Sequence, residues 1–257
     1  MSVVAPPAPD DLLSVLRGTP ALRPAVDRGL AGGLRAWLED GIFERLGTPS
    51  DVRLTSRSIA GEPVRAGATA LLRGALLRQL VRLKVASAPV RDPFDDASCA
   101  LSASGRDDDL VATLVDLDPD EHARLAAEVE AHAAVLDEAL PAVPARWSPR
   151  CGMRQAIPLA GGGVELRGVV DVALGAPGSS RACVCLLEVT TSTLEDRHDA
   201  VLSYLALLET LRSGESPLRV AALSTADGSF RVHDVTPELL GDAVERVLCA
   251  LDTAPAT

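Results

Sequence analysis

The sequence predicts an α/β protein, a mixed central β-sheet flanked by helices and preceded by an N-terminal helical portion. Two observations carry this. The first part of the chain reads as amphipathic helices, whereas from Trp147 onward short apolar runs alternate with Gly-, Pro- and Ser-rich turns. The strand-rich part is then interrupted by a helical stripe, so its order is three strands, helix, two strands, helix. With 257 residues the chain can bury one large core or two small ones.

In chain order, residues 10–17 form a short helix after a Pro-rich start. Thr19 and Pro20 read as N-cap and first helical residue of the next, whose stripe is Val26, Leu30, Leu34, Trp37 and Leu38. It stops at Gly41, with room for a further turn to Gly47, and Gly32-Gly33 weakens its centre. Residues 48–66 read as loop with room for one strand. Residues 67–86 are strongly helical, with Leu72, Leu76, Leu80 and Leu83 as the apolar seam.

The other face of that helix carries Arg73, Arg78, Arg82 and Lys84. Between Gly61 and Arg91 there are six basic residues against one acid, Glu62, a local balance of +5 in a chain of net charge −11. Two readings stand: a solvated face, or a surface for nucleic acid or a protein partner. Residues 92–109 are acidic, small and polar, which predicts a flexible loop and a domain boundary, giving regions 1–109 and 110–257.

Residues 110–117 fit a strand or a short helix. Asp118-Pro119-Asp120-Glu121 is a helix start, and the stripe that follows is His122, Leu125, Val129, His132, Leu136 and Leu140, ended by Pro141 and Pro144. Three strands with turns between them follow (153–160, 164–174 and 181–191), then a helix to Arg212 with Val201, Tyr204, Leu205, Leu208 and Leu211 inward. The strands 218–225 and 229–235 meet at an Ala-Asp-Gly turn. Thr236-Pro237 opens the last helix, with Leu240, Val244, Val247, Leu248 and Leu251 as its stripe.

The composition narrows the function. A net charge of −11 disfavours indiscriminate coating of nucleic acid, yet leaves room for a local basic groove. The first residues lack a secretory pattern and no apolar run is long enough to span a bilayer, so the expected place is the cytoplasm, with no membrane partner. The five cysteines have no zinc-like spacing and read as buried reduced thiols. No phosphate-binding loop, dinucleotide fingerprint or nucleophile elbow is present.

What remains is an acid pair. Strict alternation puts Glu165, Arg167, Val169 and Asp171 on one face of their strand, and Val184, Leu186, Glu188 and Thr190 on one face of the next. If the strands pair, Asp171 and Glu188 converge at one end of the sheet. Two carboxylates in so apolar a setting are costly without a compensating cation, and a divalent metal is the economical explanation.

Gly168-Val169-Val170-Asp171, Glu188-Val189-Thr190 and Tyr204 on the following helix, in this order of elements, resemble the PD-(D/E)XK nuclease superfamily. Its RecB-type branch, which includes CRISPR-associated RecB-like exonucleases, is the best match, over about residues 119–251. The resemblance implies a restriction-endonuclease-like sheet and metal-dependent hydrolysis of DNA phosphodiesters. It also implies a Mg²⁺ or Mn²⁺ held by Asp171 and Glu188, with His132 as a third ligand. The family's lysine, which orients the attacking water, falls at Thr190, and its helix glutamine at Ala200. The only lysine of the chain is Lys84. Three readings stay open: a nuclease whose site is attenuated or completed by a partner, an inactive pseudo-nuclease that binds DNA or protein, and an unrelated α/β interaction protein. In the last, Asp171 and Glu188 pair with Arg167 and Arg181.

Overall fold

The computed structural model describes residues 9–17, 27, 29–48, 51–61, 67–105, 107–176 and 184–253. The expected cap at Thr19-Pro20, the turn after residue 176, Arg181 and Cys183 lie outside them. The helices are α1 (Pro9–Arg17), α2 (Leu30–Leu46), α3 (Ser56–Ala60), α4 (Ala68–Val85), α5 (Pro93–Ser104), α6 (Asp108–Val115), α7 (Pro119–Ala139), α8 (Asp196–Ser213) and α9 (Pro237–Leu251). The strands are β1 (Val52–Thr55), β2 (Arg150–Leu159), β3 (Val164–Leu174), β4 (Cys185–Thr190), β5 (Arg219–Ser224) and β6 (Phe230–Asp234).

The strands form one mixed, open sheet of six, so the α/β class holds. β2 runs antiparallel along β3 from the Leu159–Val164 pair to the Arg150–Ala173 pair. The other edge of β3 is shared. β1 pairs with it in parallel over Val164 to Arg167, and β4 pairs antiparallel over Val172 to Leu174. Between them, residues 168–171 have no strand on that edge. β5 lies parallel to β4 across the α8 crossover, and β6 closes the sheet as a hairpin with β5.

Helices cover both faces. α1, α4, α5, α6 and α7 pack on one, around Leu12, Leu72, Leu76, Leu101, Leu125 and Leu136. α2, α8 and α9 pack on the other, around Leu38, Ile42, Tyr204, Leu208, Val244 and Leu248. α8 buries nearly every residue from Leu202 to Leu211, because the sheet lies beneath it and α2, α3 and α9 surround it. Among the described residues no helix is long and apolar enough to cross a membrane.

Three expectations about the first part of the chain change. Residues 92–109 are not a loop. Asp92 caps α5 by accepting the N–H of Asp95, Pro93 takes the first turn, and Phe94, Ala97 and Leu101 are buried. The expected boundary at 109/110 falls inside α6, and one core cluster joins α4 and α5 to α7 and the sheet. The segment before it also supplies β1, a strand of the same sheet.

Strict alternation fails at one place. In β3, Leu166, Val170 and Ala173 face the α8 core, whereas Val172 and Leu174 face the α4 core. The even positions therefore change sides between 170 and 172. β2 changes sides with it: Met153, Ile157 and Leu159 pack towards α8 and Cys151 towards α4. The change sits at Gly152 and Asp171, the one facing pair missing from an otherwise continuous ladder. Gly152 has φ +61°, a left-handed conformation that favours glycine, and a Cβ there would press on the Arg82 guanidinium. Asp171 thus stands where neither edge of its strand is paired.

Candidate active site

The opening along β3 is a cleft of about 700 Å³. Its walls are the start of α3, the face of α4 at Gly74, Leu77 and Arg78, the end of β4 from Glu188 to Thr191, and the first turns of α8. Local chemistry explains each wall. Thr55 ends β1 by becoming the N-cap of α3, in a reciprocal capping box with Ser58, so the chain leaves the sheet there. Gly168 forms the floor. A Cβ on it would lie 2.5 Å from Leu208 Cδ1 and 3.0 Å from Leu205 Cδ2, so glycine is what lets α8 pack this close. Tyr204 is fully buried, and its hydroxyl lies 3.1 Å from both the Leu54 and Arg167 carbonyls. It donates across the β1–β3 pair rather than into the cleft.

Asp171 and Glu188 do come together. Asp171 is 5% exposed, and its Oδ2 accepts the N–H of Val189, the neighbour of Glu188, at 2.8 Å. Glu188 Oε2 is buried with no hydrogen-bond partner, and neither acid forms an ion pair among the described residues. Burial pushes both carboxyls above their usual range. For Asp171 this is partly offset by the Val189 N–H and by Arg78 and Arg82. Glu188 is pushed further, by burial and then by the Asp171 charge, against the pull of Arg78. Both shifts have the same cause, so the pair holds on to a proton above the usual carboxylate range.

The other expected residues separate. Arg73 bonds Glu128 at 2.8 Å and Lys84 bonds Asp137, so both fasten α4 to α7. The charges of Arg78 and Arg82 act on Asp171, and that of Arg78 also on Glu188. Arg82 also donates to Gln79 Oε1 at 3.2 Å. The structure does not bring His132 to the acid pair. Its Nδ1 lies 3.0 Å from the Thr225 carbonyl and hydroxyl, and Thr225 in turn donates its N–H and hydroxyl to the Thr190 carbonyl, each at 2.9 Å. His132 therefore anchors α7 to the ends of β4 and β5. Among the described residues no three His, Cys, Asp or Glu side chains are grouped as a metal site. Thr190 lines the cleft, with its Oγ1 3.0 Å from Ser192 Oγ.

Four residues of the cleft had no signal in the linear pattern. Arg57 and Arg154 are exposed on its rim and, like Arg78, form no ion pair among the described residues. Arg167 joins them but is bonded to Glu165 Oε2 through its Nε at 2.6 Å. Gln155 is 3% exposed. Its Nε2 donates to buried Glu209 at 2.7 Å, and its Oε1 has no partner. His198 is 9% exposed at the third position of α8. Next to His198 on α8, Asp199 is taken up by bonds to Arg231 at 2.8 Å and His233 at 2.9 Å.

The described cysteines are free thiols. Cys185 is buried, as expected, but Cys99 and Cys249 are exposed because they lie on the outer faces of helices. Cys151 stands beside Gly152, and burial pushes its thiol up to about 11, which leaves it protonated and a poor nucleophile.

The donor set fits a small hard cation in one respect. Two carboxylates lie side by side, one with a buried oxygen that nothing else satisfies, and Mg²⁺ is typically held by one or two carboxylates while keeping several waters. Asp171 and Glu188 are the residues that would hold it. Fold and site together define a three-layer α/β protein with an acid pair at a break in its sheet and arginines around the opening. No protein-family model matches the chain, and no curated protein is similar enough to count as a relative.

Proposed function

We propose that the chain is a nuclease-like hydrolase of restriction-endonuclease type that takes a DNA phosphodiester into this cleft with Mg²⁺ or Mn²⁺ at Asp171 and Glu188. The observation that carries the reading is Glu188 Oε2, a buried carboxylate oxygen without a partner among the described residues, inside a cleft rimmed by Arg57, Arg78 and Arg154, which form no ion pair among those residues. In a chain of net charge −11, three rim arginines around two acids form a local site for a polyanion and a cation together.

The residues divide the work by their chemistry. Arg57, Arg78 and Arg154 present guanidinium groups to phosphate oxygens on either side of the scissile bond. The Val189 N–H fixes the Asp171 carboxylate, so its other oxygen keeps one direction. Glu188 must lose its proton to act as a ligand, so cation binding strengthens as pH rises out of the acid range. A bound divalent cation supplies charge stabilisation at the phosphoryl group and acidifies water.

A second reading has its own observation. At the family's lysine position Thr190 offers a neutral hydroxyl that is hydrogen-bonded to Ser192, which favours an inactive relative that binds DNA or a protein partner. One experiment separates the two. Wild type, Asp171→Ala and Thr190→Lys are incubated with single- and double-stranded DNA in Mg²⁺ or Mn²⁺. Cleavage by wild type that Asp171→Ala abolishes supports the hydrolase. DNA binding without cleavage, with turnover appearing only in Thr190→Lys, supports the second reading. Cleavage that survives Asp171→Ala comes from another protein and sinks the first.

A further inference from the structure

At the β4 end of the cleft three side chains form a directed chain of hydrogen bonds. His198 Nδ1 accepts the Glu195 N–H at 2.9 Å, while the Glu195 carbonyl is further away at 3.2 Å. A ring nitrogen that accepts carries no proton, so in the neutral imidazole the proton is on Nε2. Nε2 lies 3.4 Å from Ser192 Oγ, and Ser192 Oγ lies 3.0 Å from Thr190 Oγ1. Ser192 therefore accepts from His198 and passes its own proton towards Thr190. Thr190 Oγ1 also accepts the Ser192 N–H, at 3.2 Å. A hydroxyl oxygen has two lone pairs, and both are now taken. The Thr190 hydrogen must then point away from Ser192. Thr190 lines the cleft on the same strand face as Glu188.

We propose that His198 and Ser192 are positioning residues that turn the Thr190 hydroxyl into a fixed hydrogen-bond donor to a phosphoryl oxygen in the cleft. The inference deepens the hydrolase reading and rests on it for the identity of the ligand. A phosphodiester oxygen only accepts hydrogen bonds, so a hydroxyl whose proton is free is the matching group. The position that carries lysine in the resembling family thus keeps a donor while losing the charge. Each bond in such a chain polarises the next, strengthening it by about 10–30%. The chain is anchored at its far end by the backbone, because His198, the third residue of α8, accepts the N–H of the N-cap Glu195.

Four variants test this. Thr190→Val removes the hydroxyl and keeps the shape, and Thr190→Ser restores it. Ser192→Ala cuts the chain in the middle. His198→Asn keeps an acceptor for the Glu195 N–H but cannot reach Ser192. Nitrogen NMR of labelled histidine reads the tautomer, thermal melts confirm folding, and two functional readouts are taken. These are affinity for a short fluorescent single-stranded oligodeoxynucleotide without divalent metal, and kcat and KM for its cleavage with Mn²⁺.

The expected result is His198 as the Nε2–H tautomer. Thr190→Val should lower kcat about 100-fold, the loss typical of a donor to a developing oxyanion. Ser192→Ala and His198→Asn should each lower kcat/KM about 10-fold, as weakened donation to that same oxygen implies. Thr190→Ser should retain most of the rate. If wild type does not cut, the hydrolase reading fails. The donor is then judged on affinity alone, which Thr190→Val, Ser192→Ala and His198→Asn should lower together and Thr190→Ser should keep. An Nδ1–H tautomer overturns the proposal. So do folded Ser192→Ala and His198→Asn proteins that match wild type in both kcat/KM and affinity.

Discussion

Replacing Glu188 by glutamine tests what the acid pair is for, because the metal-site and structural readings predict opposite signs. Without metal, the ionised Glu188 carboxylate has a buried oxygen with no partner, beside a second buried acid. A buried polar group left unsatisfied costs about 1–3 kcal/mol. Glutamine is neutral, nearly the same shape, and has an N–H₂ that can donate to Asp171. In EDTA near pH 8, Glu188→Gln should therefore be more stable than wild type by about 1–3 kcal/mol. For a chain of this size that raises Tm by about 2–12 °C. The sign with pH follows from linkage. Asp171 and Glu188 both have folded pKa values raised above their unfolded ones. Their contribution is fully present below the unfolded carboxylate range, is lost as pH rises through the raised values, and is flat beyond. Wild-type Tm should fall over that window, and Glu188→Gln should flatten the fall. Mn²⁺ should reverse the order. At a hundredfold excess over Kd it stabilises wild type by about 2.7 kcal/mol, and Glu188→Gln should lose most of that. Thermal melts across pH, in EDTA and in Mn²⁺, read all of these. A Glu188→Gln protein that is less stable than wild type in EDTA, with no response of wild type to Mn²⁺, would mean that the carboxylate is already compensated in the folded protein and that no cation belongs there.

Three further outcomes follow from the same geometry. Arg57→Ala, Arg78→Ala and Arg154→Ala should each weaken oligonucleotide binding and reduce the slope of log K against log salt by about 0.7–0.9. Arg73→Ala and Lys84→Ala should not, since those side chains are held by α7, and equal effects from all five would return the contact to the whole α4 face. Gly168→Ala puts a methyl 2.5 Å from Leu208 Cδ1. That overpacking should cost about 1–3 kcal/mol in urea unfolding, and a neutral result would mean that α8 does not lie against the strand. Tyr204→Phe removes the hydroxyl shared by the Leu54 and Arg167 carbonyls and should cost about 1–2 kcal/mol of stability while leaving Mn²⁺ affinity intact, because the ring is buried away from the cleft. A loss of Mn²⁺ affinity in a folded Tyr204→Phe protein would place the hydroxyl at the site after all.

Much of this architecture is legible in local patterns, and the misses have identifiable causes. The strands from residue 150 onward and helices α7, α8 and α9 follow from period and caps, since Asp118-Pro119 and Thr236-Pro237 state their starts directly. The same cap type is present at Asp92-Pro93. The small, acidic residues that follow mask it, although Phe94, Ala97 and Leu101 are enough to bury one face of α5. Convergence of Asp171 with Glu188 follows from hairpin pairing. The face that Asp171 takes does not, because the alternation reverses there. Gly152 was the available signal, as an isolated glycine within a strand pattern marks an irregular ladder. His132 shows the limit of periodicity, which identifies an inward side chain but not its neighbour. Arg57, Arg154 and His198 come from three separate elements, and only the tertiary arrangement puts them around one opening.

The acid pair can exist inside this sheet because three local features leave one edge of β3 free over residues 168–171 and break the other edge opposite Asp171. Thr55 takes β1 off the sheet by capping α3, β4 begins to pair only at Val172, and the β2 ladder is interrupted opposite Asp171 by the left-handed Gly152. Were β1 or β4 to continue along β3 it would cover residues 168–171 and leave no room for a ligand, and an unbroken β2 ladder would pair Asp171 on its other edge. The gap does not collapse, because its two ends are tied to one helix. Tyr204 of α8 bonds the carbonyls of β1 and β3 at one end, and α8 rests on Gly168 in the middle. At the other end His198 of α8 accepts the N–H of its own N-cap, Glu195, and reaches back to Ser192 just beyond β4. A helix buried along nearly its whole length is a rigid spacer, so the distance between the arginines of the rim and the acids of the floor is set by the core rather than by mobile loops. That is the arrangement a site must have if two buried carboxylates are to be kept ready for a cation instead of being paired away.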